Sequence, residues 1–180
     1  RLLVVGGSLG AQALNELVPQ ALATLNADKL FGGAVQVRHQ AGGNKRDAAA
    51  AAYRTAGVEA QVDGFIEDMA AAYEWADLVI CRAGAMTIAE ISAAGVASLL
   101  VPYPHAVDDH QTANALFLAK HKAAIMLPQR ELEVEQLAQW LEEFIQNRDK
   151  LLHMAEAARE HGMPESTQLV VDALLQQGGA

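Results

Sequence analysis

The stretch Leu78 to Glu90, LVICRAGAMTIAE, runs from four apolar residues into a glycine turn and restarts as a helical pattern carrying a glutamate. A short apolar run closed by glycine and followed by a helix is the βα unit of a parallel sheet. The N-terminus of that helix offers unpaired N–H groups and the positive end of its dipole, which together can grip phosphate. A carboxylate one turn deeper, Glu90, would let such a unit hold a sugar nucleotide by both ends.

The same alternation extends in both directions. Strands are expected at Leu2 to Val5, Val35 to His39, Ala60 to Val62, Leu78 to Cys81, Ser98 to Val101 and Ala124 to Leu127. Between the first two, Leu14, Leu17, Val18, Ala21, Leu22 and Leu25 share one face at helical period, and the alanine-rich run Asp47 to Ala56 is helical by propensity. The fold class is therefore α/β: a doubly wound, Rossmann-like parallel sheet of about six strands with helices on both faces. From Glu131 the pattern is helical only, with Leu132, Leu137, Trp140, Leu141, Phe144 and Ile145 forming a stripe. Gly162-Met163-Pro164 then punctuates the chain before a last helix near Glu165 to Leu175. Residues 1–180 are expected to form a single domain that includes the C-terminal helices at about 131–176.

Composition narrows the class of ligand. Of 180 residues, 52% are hydrophobic and 19% charged, which excludes a disordered or fibrous chain. The formal charge of −9 repels nucleic acid and anionic lipid as a whole-molecule field. A phosphate site must then be local, made of backbone N–H groups and helix ends. The single cysteine, Cys81, permits no internal disulfide and fits a reducing, cytoplasmic setting. No apolar run approaches the roughly 20 residues of a membrane span. Because Arg1 leads directly into a central-looking strand, half of a longer protein is expected, with a partner domain upstream.

Four post-strand loops carry the candidate chemistry. Gly6-Gly7-Ser8-Leu9-Gly10 opens the first helix, either as an anion cradle or as a tight turn with Ser8 near the helix cap. In Arg82-Ala83-Gly84-Ala85-Met86-Thr87, the T-x-x-E of Thr87 and Glu90 also reads as a capping box, in which the glutamate merely returns to the Thr87 N–H. Pro102 to Gln111 is a polar loop in which Asp108 or Asp109 could cap a helix, with Gln111 and Asn114 solvated on its first turn. There His105, Asp108, Asp109 and His110 could also suggest metal, but adjacent ligands in one loop lack a distant fourth. Gly64-Phe65-Ile66-Glu67-Asp68-Met69 could seat a flat base, although Phe65 and Ile66 alone read as core.

GGSLGA at Gly6 to Ala11, GFIEDM at Gly64 to Met69, CRAGAMTIAE at Cys81 to Glu90 and VPYPHAVDDHQTANA at Val101 to Ala115 together closely resemble the C-terminal half of the MurG family of bacterial glycosyltransferases. That family adds N-acetylglucosamine to lipid I to make lipid II for peptidoglycan, and the resemblance runs essentially end to end. It implies the donor-binding half of a two-domain GT-B enzyme, with UDP-N-acetylglucosamine as donor substrate and no tightly bound cofactor or metal. It further implies that Ser8, Gly10 and the neighbouring Gly7 and Leu9 backbone face the diphosphate, and that Ile66, beside Phe65, hydrogen-bonds uracil through its main chain. Ala85, Met86 and Thr87, flanked by Arg82 and Gly84, would place amides near phosphate and sugar. Glu90 would accept from the ribose, and His110 and Gln111, with Asn114 nearby, would reach the sugar hydroxyls. Leu9 replaces a glutamine common in the family, which leaves that position its backbone contact. The general base, the lipid I site and docking on the cytoplasmic membrane face are attributed to the absent N-terminal domain, so no catalytic residue is assigned in this chain and the fragment alone is expected to be inactive.

Two other readings remain open. A dinucleotide fold wants G-x-G-x-x-G and an acidic residue closing the second strand, where this chain has Gly-Gly-x-x-Gly and Arg38-His39-Gln40, leaving NADP an opening through Arg38. Alternatively the turns are structural devices of a non-catalytic α/β interaction module.

Overall fold

The computed structural model describes residues 1–7, 9–27, 35–104 and 109–163. Six parallel strands, β1 (Leu2–Val5), β2 (Val37–Gln40), β3 (Gln61–Asp63), β4 (Leu78–Cys81), β5 (Ala97–Leu100) and β6 (Ala124–Met126), lie in the order β3-β2-β1-β4-β5-β6. Every residue of β1, β4 and β5 is buried, as a sheet covered on both faces requires. β1 sits between β2 and β4, with Val5 level with Gln40 on one side and Cys81 on the other.

The helices are α1 (Gln12–Ala27), α2 (Arg46–Thr55), α3 (Met69–Trp75), α4 (Ala85–Ala94), α5 (His110–Lys120), α6 (Val134–Gln146) and α7 (Arg148–Glu160). Strand alternation splits the core into two layers. Leu2, Val4, Leu78, Ile80 and Leu99 pack with Leu14, Val18, Leu22, Leu137, Leu141 and Phe144 on the side of α1 and α6. Leu3, Val5, Val79, Cys81 and Leu100 pack with Tyr73, Ile88, Ile91 and Leu118 on the side of α3, α4 and α5.

All six expected strands are present, with ends displaced by one or two residues at β2, β3, β5 and β6. Sheet-like bonds run past the assigned ends, Val101 N–H to the Cys81 carbonyl at 2.8 Å and Leu127 N–H to the Leu100 carbonyl at 2.9 Å, so the shifted β5 and the shorter β6 differ in definition more than in pairing. The expected helical region after Glu131 divides at Asn147, whose side chain accepts from Lys150 N–H at 3.2 Å and starts α7. Leu151 and Met154 join one core layer while Ala158 joins the other, so α7 crosses from α6 toward α4. The expected helix at Glu165 to Leu175 lies outside the described residues.

Candidate functional site

Strand order reverses direction between β1 and β4, and the loops after these two strands flank the crevice where open α/β sheets bind ligands. In the first loop, Gly10 N–H donates to the Gly7 carbonyl at 3.0 Å, with φ of 76° at Gly7 and 69° at Gly10. A Cβ at Gly10 would stand 2.1 Å from the Ala41 carbonyl oxygen, so only glycine lets this turn press against the end of β2. Leu9 points into solvent, and Ser8 lies outside the described residues. Lys45 follows in a short 3-10 turn and its Nζ donates to the Gly10 carbonyl at 3.2 Å, bringing a cation beside the glycines that sequence reasoning had not singled out.

Beneath this turn lies a buried polar relay. Asn15 Nδ2 donates to the Ala41 carbonyl at 3.0 Å, which leaves Asn15 Oδ1 to accept from His39 Nε2 at 2.9 Å. His39 Nδ1 then accepts from the Tyr53 hydroxyl at 2.9 Å. Burial lowers the His39 pKa from 6.5 to about 4, so the ring is neutral and the tautomer is fixed by its two partners.

After β4, helix α4 begins at Ala85, with Gly84 at the cap position and no side-chain cap. The first intrahelical bond of its N-terminus is Ile88 N–H to the Gly84 carbonyl at 3.0 Å, so the amides of Ala85, Met86 and Thr87 precede the ladder and lack acceptors within it. Met86 is 78% exposed, which leaves this helix end open. The capping-box reading is overturned: Thr87 is the third helical residue rather than the cap, and Glu90 turns instead to Tyr73, whose hydroxyl donates to Oε2 at 2.9 Å. Burial first, then the neighbouring Cys81 and Glu90, raises the Tyr73 pKa and keeps that hydroxyl protonated. Burial also pushes the Cys81 thiol up to about 12, so it has no nucleophilic role at neutral pH.

The loop after β3 separates the two residues that had read as core. Ile66 is buried at 5% exposure, whereas Phe65 is 63% exposed, because adjacent side chains in an extended segment face opposite ways. Ile66 N–H donates to Gln40 Oε1 at 3.0 Å, and Asp68 caps α3 by accepting from Ala71 N–H at 2.9 Å. Gln40 and Tyr73 are further site neighbours missed in the sequence, since nothing local marks a strand-end glutamine or a helical tyrosine.

In the loop after β5, His105 and Asp108 lie outside the described residues, and among the described residues no group of three His, Cys, Asp or Glu side chains could hold a metal. Asp109 occupies the cap position of α5 with φ of 50° but makes no side-chain cap bond. The alternative in which Gln111 and Asn114 are merely solvated on the first turn does not hold. Gln111 Oε1 accepts from Tyr103 N–H at 2.9 Å, and Asn114 Nδ2 donates to the Ala83 carbonyl at 3.0 Å, tying α5 to the loops after β5 and β4. His110 is exposed at the first position of that helix. Arg82 is spent in the same framework: its guanidinium donates to the Val101 and Pro102 carbonyls and to Gln129 Oε1 at 2.5 Å, and it lies over the Tyr103 ring. Burial lowers its pKa, with Tyr103 opposing.

Arg38, the opening left for NADP, lies over Trp75 at the far end of α3, 5.4 Å from the ring centroid, rather than at the ligand edge. The strand-end position that would carry a ribose carboxylate holds Gln40, already bonded to Ile66.

The profile of the glycosyltransferase family 28 C-terminal domain matches residues 1–170. A UDP-N-acetylglucosamine--N-acetylmuramyl-(pentapeptide) pyrophosphoryl-undecaprenol N-acetylglucosamine transferase from Marinobacter nauticus is 52% identical over 177 residues, 98% of this chain and 47% of the relative. The protein of that name from Azoarcus is 57% identical over 171 residues, 95% of this chain and 46% of the relative. The chain thus spans about half the length of the curated relatives it matches. The crystal structure of Acinetobacter baumannii MurG superposes with a TM-score of 0.87 at 48% identity, covering 98% of this chain and 49% of that one. Glycosyltransferase VinC, solved with dTDP, shares the fold at a TM-score of 0.62 and 18% identity over 89% of this chain and 36% of its own.

Proposed function

The chain belongs to the glycosyltransferase family 28 C-terminal domain family, and from that premise we propose that residues 1–180 form a single donor-binding domain for UDP-N-acetylglucosamine in an enzyme converting lipid I to lipid II. The observation that carries this reading is the pairing of the open α4 N-terminus with the half-buried Glu90 one turn deeper, beside the β1/β4 crevice. The Ala85, Met86 and Thr87 amides and the Gly7 to Gly10 turn take the diphosphate, Glu90 accepts from the ribose hydroxyls, Ile66 meets the base through its main chain, and His110 and Gln111 approach the sugar.

In this reading the 4-hydroxyl of the lipid-linked acceptor sugar attacks the anomeric carbon with inversion, and UDP departs. Negative charge grows on the leaving diphosphate, so fixed amides and a helix dipole stabilise the transition state more than the ground state. Lys45, held near the first turn through Gly10, adds positive charge to an acidic chain. The base that takes the acceptor proton, the lipid I site and peripheral attachment at the cytoplasmic membrane face belong to an N-terminal domain of the full enzyme. Among the described residues no helix is long and apolar enough to cross a membrane.

Calorimetric titration with UDP-N-acetylglucosamine, UDP and NADPH tests the proposal. Binding of the first two without the third is expected, and at about 100 times the dissociation constant the sugar nucleotide raises stability by about 2.7 kcal/mol. A folded chain that binds neither UDP compound refutes the reading, and selective binding of NADPH replaces it.

A further inference from the structure

Arg82 is the first residue after β4, and a cation at the entrance to the open α4 N-terminus is the group expected to meet a phosphate. Its contacts point elsewhere. Nη1 donates to the Val101 carbonyl at 3.1 Å and to the Pro102 carbonyl at 3.3 Å, Nη2 donates to Gln129 Oε1 at 2.5 Å, and the guanidinium carbon lies 5.4 Å from the Tyr103 ring centroid. The half-buried side chain thus reaches from the end of β4, across the end of β5, to the 3-10 turn Gln129–Glu131 that follows β6. Its acceptors are neutral oxygens, and among the described residues no carboxylate pairs with it. The Pro102 carbonyl and the Tyr103 N–H belong to one planar peptide unit and point in opposite directions. Arg82 holds the carbonyl end, and the N–H end donates to Gln111 Oε1 at 2.9 Å.

Resting on the donor-binding reading above, in which Gln111 approaches the sugar, we propose that Arg82 is a positioning residue for the sugar end of the donor and not a ligand of its diphosphate. By clamping the 102–103 peptide, Arg82 fixes the direction of the Tyr103 N–H. That N–H can only donate, so it takes the oxygen end of the Gln111 carboxamide. The Nε2 end, which has no acceptor among the described residues, is left as the donor that a sugar oxygen meets. Asn114, one turn further along α5, is tied to the Ala83 carbonyl, next to Arg82 in the chain, so the start of α5 is anchored to the β4 loop from both sides. The charge of Arg82 serves this role through geometry: a planar fork can hold the ends of neighbouring strands at once, which a point charge on a flexible stem does not.

The test is the ratio of the dissociation constants of UDP-N-acetylglucosamine and UDP, measured by calorimetry on the full chain, with thermal unfolding followed in parallel. Arg82→Met releases the 102–103 peptide and is expected to raise this ratio about tenfold, while the dissociation constant of UDP itself moves by less than about threefold. Arg82→Lys keeps the charge but not the fork, so it is expected to raise the ratio likewise, and it carries the test should the methionine variant fail to fold. Gln111→Met removes the same contribution, and adding it to Arg82→Lys is expected to change the ratio by less than about twofold more, because both act on one contact. An unchanged ratio in a folded Arg82 variant or in Gln111→Met, full additivity of the two, or an equal loss of both ligands overturns the proposal alone. Loss of UDP affinity in Arg82→Met that Arg82→Lys restores also overturns it, by making Arg82 a phosphate ligand. A wild type that binds neither UDP compound overturns the donor reading and this inference with it.

Discussion

Glu90 is held from below by the Tyr73 hydroxyl at 2.9 Å, and this contact makes two separable predictions. Glu90→Ala is expected to weaken UDP-N-acetylglucosamine binding by about 1.5–3 kcal/mol, the scale of a hydrogen bond to a charged group, as read by calorimetry. Tyr73→Phe keeps the carboxylate but frees its orientation, so its cost should be smaller, about 1 kcal/mol. Wild-type affinity in Glu90→Ala would remove the ribose role. His39 supplies a pH signature unrelated to the ligand. Its pKa is lowered on folding from 6.5 to about 4, so between those values the unfolded chain binds the extra proton. That stability is present above pH 6.5 and lost as pH falls toward 4, by up to about 3 kcal/mol. Denaturant titrations across this window should show the decline in wild type, and a flatter profile in His39→Gln.

Two elements divide the roles that their sequences leave mixed. The α4 N-terminus is started by Gly84 without a side-chain cap, so Thr87→Ala should change unfolding free energy by less than about 0.5 kcal/mol, where loss of a true cap costs about 1 kcal/mol. A full capping cost at Thr87 would restore the box. The Gly6 to Gly10 turn has no such tolerance. Gly10→Ala combines φ of 69° with a Cβ 2.1 Å from the Ala41 oxygen, and is expected to destabilise by about 3 kcal/mol or more. Thermal or denaturant unfolding reads both variants. The turn, the end of β2 and the Asn15–His39–Tyr53 relay are thus one packed unit, in which the relay supports Ala41 against Gly10.

On the scale of the whole molecule, the donor-binding reading predicts that this chain binds the sugar nucleotide yet transfers no sugar to a lipid-linked acceptor, because none of its residues is assigned the proton-accepting role. Turnover by the chain alone, followed as UDP release with acceptor present, would overturn that division. The order of βα units and the fold class were legible in the sequence, since apolar runs and helical periods are local patterns that burial on two faces imposes. Gly84 and Met86 could be placed at a turn, and Glu90 one turn into the helix that follows, for the same reason. The sequence by itself determined the glycine turns, the alternation and the acidic balance that makes any phosphate site local. Only tertiary structure decided that Glu90 meets Tyr73 rather than Thr87, that Gln40 rather than solvent takes the Ile66 N–H, and that Arg82, Gln111 and Asn114 bind neighbouring loops. These contacts join residues from separate βα units, and a side chain's partner across such a distance is set by how the sheet brings loop ends together, which no local pattern encodes.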